Sequence, residues 1–182
     1  MEKTNDHTAN NHFHSSEEVK QHVLRILENV MDPEVPVLSV LDLGVVRKVE
    51  VLPIGNESQI EISITPTYTG CPAIDMMRMS IRMALLQNGF KNIEIREVLS
   101  PAWTTDWMSE HGKEKLKAYG IAPPHYRQMV CTPDSFQEEE AIQCPLCNSY
   151  NTRLVSQFGS TACKALYQCN DCKEPFDYFK CH

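Results

Sequence analysis

The stretch QIEISITPTYTGCPAIDMMRMSIRMALLQNGFKNIEI, residues 59–95, changes its apolar period twice. Gln59 to Thr65 (QIEISIT) is β-branched and alternates, as a half-buried strand does. From Pro72 onward Ile74, Met77, Ile81 and Leu85 recur at helical spacing, and Asn92 to Leu99 (NIEIREVL) alternates again through Ile93, Ile95 and Glu97. Pro72 suits a first helical turn, where its missing N–H is not needed, and Gly89 supplies the stop. Strand, helix, strand predicts that the helix crosses over and returns the chain to the same sheet. The methionines Met77, Met79 and Met83 read as core filling rather than a cofactor box.

Working outward, Val45 to Leu52 (VVRKVEVL) pairs with QIEISIT across the turn-rich PIGNES, a hairpin. Before it, Ser15 and Glu18 fit a capping box, and Val19, Val23, Ile26, Leu27 and Val30 share one helical face. That helix must stop near Met31, because Pro33 and Pro36 remove backbone donors and disfavour helical geometry before them. HGKEKLKAYG reads as a short helix ending at Gly120. The expected fold class is α+β, a small mixed sheet with helices packed on it in the order helix, hairpin, helix, strand, spanning residues 15–120. Residues 121–141, with IAPP, TPD and the acidic QEEE, read as a linker.

Residues 142–182 carry a different pattern. Cys144 and Cys147 in QCPLC and Cys169 and Cys172 in QCNDC are two C-x-x-C knuckles, the spacing of a closed four-thiolate zinc ribbon with no position left for substrate. A module this small buries too little apolar surface to fold without its metal. A thiolate iron–sulfur centre stays open, since four cysteines serve both. Cys163 lies six residues before the second knuckle, where it could replace a ligand or join a cluster, but it and Cys181 read as spectators. Ser156 to Ala165 reads as a hairpin arm.

With 17 Lys+Arg against 24 Asp+Glu, a net charge of −7 offers no phosphate-attracting field, and the ribbon is near neutral, so nucleic acid is disfavoured as a partner. The opening MEKTNDHTANNHFHSS lacks an apolar signal core, and no apolar run reaches membrane-spanning length, so a cytoplasmic chain without a membrane partner is expected. His7, His12 and His14 sit among Asn and Thr in what reads as a disordered tail, residues 1–14. The sequence has no Gly-rich phosphate loop, nucleophile elbow or H-E-x-x-H, hence no catalytic residues to nominate.

Among single residues Cys71 has the best claim to chemistry. It stands where the Thr-rich loop meets the second helix, a position that favours a thiolate for ligation or attack; a small buried apolar residue is the plainer reading, and Asp75 opposes thiolate formation. Asp32 and Glu34 in DPE offer carboxylates at a loop, or only a solvated turn. Thr65, Thr67 and Thr69 could bond an anion or merely the loop backbone. Trp103 and Trp107, four apart, would on a helix share one face, as core or as a protein-binding patch.

The stretches DPEVPVLSVLDLGVV and TPTYTGCPAIDMM resemble the iron–sulfur assembly domain family once called domain of unknown function 59. WTTDW, GKEKLKAYGIAPP, CPLCNS, FGSTACKALYQC and EPFDYFKCH are similar to its PaaD branch, whose members are components of phenylacetyl-CoA epoxidase systems, and the likeness runs from about residue 17 to 182. The resemblance implies an accessory, non-catalytic part in aerobic phenylacetate degradation. Its partners would be the oxygenase and reductase components of the epoxidase, and its task would be maturation of an iron–sulfur or di-iron centre. It makes Cys71 a transient cluster ligand or transfer thiol with Asp32 and Glu34 shaping the site. One thiolate cannot hold a cluster alone, which implies a homodimer or a handover complex. The competing expectation is a structural component that docks through the tryptophan segment and the ribbon, with Cys71 merely buried.

Overall fold

A computed structural model of the chain describes residues 15–54, 57–124 and 142–180. The N-terminal histidines, the acidic run of the linker and Cys181 lie outside the described residues. Helix α1, Ser16–Leu27, opens with the full capping box: Ser15 accepts from the Glu18 amide at 3.2 Å, and the Glu18 carboxylate accepts from the Ser15 amide at 3.0 Å. Strands β1, Val46–Ile54, and β2, Glu57–Ile64, form the expected antiparallel hairpin. Helix α2, Ala73–Gln87, then carries the chain to β3, Asn92–Glu97, which lies parallel to β2 in a three-stranded mixed sheet ordered β1-β2-β3. Gly89, at φ +88°, takes the left-handed conformation just after the helix that an L side chain resists.

The core lies where α1 and α2 cover one face of this sheet. Val19, Val23, Leu27, Ile60, Ile62, Ile64, Ile74, Met77, Ile81 and Leu85 are all buried in it. The core-filling expectation holds for Met77 alone. Met79 and Met83 are 69% and 49% exposed, because a stripe built on Ile74, Met77, Ile81 and Leu85 turns them to the outer face.

Between α1 and β1 the chain makes a tight loop, closed by an antiparallel bridge of Met31 with Ser39 and anchored by buried Val35, Leu38, Val40 and Leu43. Glycine is required at Gly44, whose φ is +72° and whose missing Cβ leaves room for the Trp107 carbonyl. The tryptophans do not share a helical face. Only Thr105–Trp107 is helical, a single 3-10 turn, preceded by extended Thr104 and, outside any helix or strand, Trp103. Trp103 is core: its indole N–H donates to the Leu43 carbonyl at 3.0 Å. Trp107 is half-buried under the Arg47 guanidinium, 3.3 Å from its ring centroid; Arg47 sits at the bulge in β1.

Helix α3, Glu110–Tyr119, is capped by Ser109 and ends at Gly120, the stop expected. The next residues depart from the linker expectation: Ile121–Ala122 form β4, the outer strand of a second sheet. That sheet continues with β5, Thr152–Ser156, β6, Lys164–Cys169, and β7, Pro175–Phe179, in the order β4-β7-β6-β5. The hairpin expected in the ribbon is β5 with β6, and most of Ser156 to Ala165 is its connection rather than an arm. Phe179 and Cys163 join the main core, and Phe179 meets Trp103 edge-on at 6.2 Å. The ribbon is therefore packed onto the α+β domain and not merely tethered to it.

Candidate functional site

Two thiol-bearing places stand out, one inside the ribbon and one where the ribbon meets the DPE turn. Inside the ribbon, the sulfurs of Cys144, Cys147, Cys169 and Cys172 lie within 4.8 Å of one another. The pairs Cys144–Cys172 and Cys147–Cys169 stand at 3.8 and 3.5 Å. A tetrahedron of metal–sulfur bonds of zinc length has edges of about 3.8 Å, so the donors fit a four-coordinate ion with little movement. Both knuckles have one backbone design. Asn148 and Lys173, each just after the second cysteine, sit at φ 62° and 68°. The amides of Cys144 and Cys169 close equivalent turns on the carbonyls of Ser149 and Glu174. Amides of Cys172 and Asp171 point at the Cys169 sulfur and hold its pKa down to about 7, favouring the thiolate a metal requires.

At the junction the Asp32 carboxylate accepts from the amides of Glu34 and Val35 at 2.7 and 2.6 Å, and is 5% exposed. Burial pushes its pKa up against those two amides. Asp32 thus builds the turn, and Glu34 is the carboxylate that the turn presents. Cys71 is 5% exposed, at the end of a Tyr68–Cys71 turn just before α2. The Tyr68 hydroxyl is bonded to the Cys71 side chain; burial and then the Cys71 sulfur raise the phenol to about 12, with Glu34 and Cys163 adding to the effect. Thr65 and Thr67 are buried in the same loop and Thr69 is exposed.

From the ribbon side comes Cys163, 4% exposed, whose thiol donates to Glu34 Oε2 at 3.6 Å and exchanges a hydrogen bond with Thr161 Oγ1 at 3.0 Å. Burial pushes its pKa up to about 11, with Glu34 adding to the effect. Buried Lys164 donates to the Glu34 carbonyl at 3.4 Å. The structure so pairs Cys163 with Glu34 and Cys71 with Tyr68, and buries both thiols in one core. Sequence reasoning passes over Tyr68 and sets Cys163 aside as a spectator. The available signal was arithmetic: the ribbon has more cysteines than four-coordination uses.

Comparison with known proteins agrees with this two-part architecture. The family model described as iron–sulfur cluster assembly protein matches residues 20–95, and that of the PaaD zinc beta ribbon domain matches residues 129–180. A structure from Bacillus anthracis, a domain of unknown function DUF59, is 27% identical and covers 56% of this chain and 93% of its own, with a TM-score of 0.51. An Fe-S protein maturation auxiliary factor of Porphyromonas gingivalis is 35% identical over 59% of this chain and 96% of its own. A protein of Escherichia coli K12, named as a candidate component of 1,2-phenylacetyl-CoA epoxidase, is 47% identical over 86% of this chain and 89% of its own. At that identity over both domains, the chain belongs to the PaaD family of phenylacetyl-CoA epoxidase components, an iron–sulfur assembly domain joined to a zinc β-ribbon.

Proposed function

We propose that this protein is a maturation factor of the epoxidase system, carrying iron or an iron–sulfur fragment as cargo to the metal centre of an oxygenase or reductase component without itself turning over substrate. Cys71 is the cargo thiol, Glu34 its neighbouring carboxylate, and Asp32 the residue that fixes the turn. The observation that carries this reading is buried Cys71 bonded to the half-buried Tyr68 side chain, with the half-buried Glu34 carboxylate acting on the same phenol. Sulfur beside oxygen suits iron far better than magnesium or calcium. The names of the relatives, maturation factors among them, point the same way.

The knuckles hold zinc as a structural ion, the role their closed four-thiolate shell fits. In the competing reading, docking through the tryptophan segment and the ribbon, Trp103 would not face the partner, because it is core. The test is a Cys71→Ala chain expressed in cells that carry the epoxidase. Partner iron content and epoxidase activity should fall together while the variant keeps its zinc; unchanged partner iron would refute the cargo role. Metal analysis of anaerobically purified protein should give zinc near one per chain, and iron in the knuckles would overturn that assignment.

A further inference from the structure

A single thiolate is too few to retain iron, and the structure holds a second thiol, Cys163, against the Glu34 carboxylate. The loop after β5 folds over the DPE turn and ends at Cys163, which is fixed between two elements of the ribbon: its carbonyl accepts from the Lys180 amide at 3.0 Å, and the Lys164 amide donates to the Thr161 carbonyl at 3.1 Å. Cys163 Sγ already lies 3.6 Å from Glu34 Oε2, and buried Cys71, bonded to Tyr68, lies in the same core cluster as buried Cys163. We propose that Cys71, Cys163 and Glu34 form a second cation site, separate from the knuckles, that takes ferrous iron or a similar thiophilic divalent ion, with Cys163 contributed by the ribbon. The proposal rests on the reading of Cys71 as the cargo thiol and adds the partner that makes the site two-thiolate.

The chemistry balances simply. Two metal–sulfur bonds form as the two thiol protons leave to solvent, the Glu34 carboxylate supplies an oxygen, and no electron changes hands. The resulting negative charge is shared by the divalent ion and the Lys164 ammonium, whose nearest acceptors are the Glu34 carbonyl at 3.4 Å and Asp177 at 3.9 Å. Among the described residues the knuckle cysteines are the one group of three or more such ligands already converged. Closing the junction on an ion therefore draws Cys71 away from Tyr68 toward the Glu34–Cys163 pair. Because Cys163 hangs from β6, the knuckle metal orders a ligand of the other site, and an unfolded ribbon leaves Cys71 alone.

The test uses the full-length chain with its knuckles filled with zinc, titrated anaerobically with cobalt(II), whose sulfur-to-metal charge-transfer band reports bound thiolates, and then with ferrous iron against a competing chelator. Wild type should bind one further ion per chain. Cys163→Ala and Cys71→Ala should each halve the band, and Cys163→Ala should weaken the ion by at least about tenfold; Glu34→Gln should weaken it while keeping the full band. Zinc content and circular dichroism check folding, with Cys163→Ser as the size-conserving substitute. A Cys163→Ala chain that binds like wild type, while Cys71→Ala does not bind, would overturn the second thiolate and leave the Cys71 reading intact. A wild-type chain that takes up neither ion would overturn both.

Discussion

Stripping the knuckle metal should unfold the ribbon and weaken, but not unfold, the α+β domain. The ribbon's own core among the described residues is Ala122, Ile142, Cys144, Cys169 and Phe176, far too little to offset the ordering of its strands. The metal contributes about 10–16 kcal/mol in comparable sites. When the ribbon melts, Phe179 leaves the main core, where it is 1% exposed and packs on Trp103. Losing a buried phenylalanine costs about 3–5 kcal/mol. Set against a total of about 5–15 kcal/mol for a domain, the α+β unit survives with its melting midpoint lowered by at least about 10 °C. The assay is a Trp107→Phe chain, which leaves Trp103 as the sole emitter of the original two tryptophans. On chelation under reducing conditions its emission should shift to the red while the helical circular dichroism persists and melts earlier. If verified metal loss leaves both the emission and the midpoint unchanged, the ribbon folds without its metal and the coupling is refuted.

Three further perturbations separate local roles. Burial works to raise the Asp42 carboxyl, but Lys115, Ser109 and Ser39 donate to it and hold it at about 2, below the ordinary 3.8. Its stabilisation is present above the ordinary value and lost as pH falls through about 2. Lys115 is one-third exposed, so screening reduces the apparent gain to about 1 kcal/mol, and Asp42→Asn should lose that much at pH 7 in urea titrations, with the gap to wild type closing between pH 4 and 2. Gly44→Ala should cost about 2–4 kcal/mol in the same assay, since it combines a left-handed φ with a clash against the Trp107 carbonyl. Asp32→Ala leaves the buried turn amides of Glu34 and Val35 without their acceptor and should cost about 2–3 kcal/mol, whereas Glu34→Gln should leave the midpoint within about 0.5 kcal/mol of wild type.

The α+β domain was legible because each of its elements announces its own period. The stripe Ile74, Met77, Ile81 and Leu85 is buried as read, and the capping box at Ser15, the stop at Gly89 and the crossover to Ile93 and Ile95 all follow from local chemistry. Met79 and Met83 are exposed against expectation because composition carries no phase; only the position of each residue around the helix does. For the tryptophan pair the core alternative holds at Trp103, but the shared face does not form, since spacing of four has meaning only on a helix and the segment makes a single 3-10 turn. The knuckles were plain from sequence because all four ligands lie in two local turns. The junction was not, because Cys163 reaches Glu34 across 129 positions of chain, and no local pattern encodes a meeting of two domains.

The two residues of β4 have a consequence for anyone who would move these parts about. Ile121–Ala122 pair with Asp177 and Tyr178 of β7, so the ribbon's sheet is finished by a strand that emerges from α3 of its neighbour. A ribbon cut at residue 142 would present the bare rim of β7, an invitation to pair with another copy. A graft of residues 142–182 onto a shorter relative would need that strand carried along. The seam between the two halves therefore runs through a sheet, and the unit that can be inherited or engineered whole begins no later than Ile121.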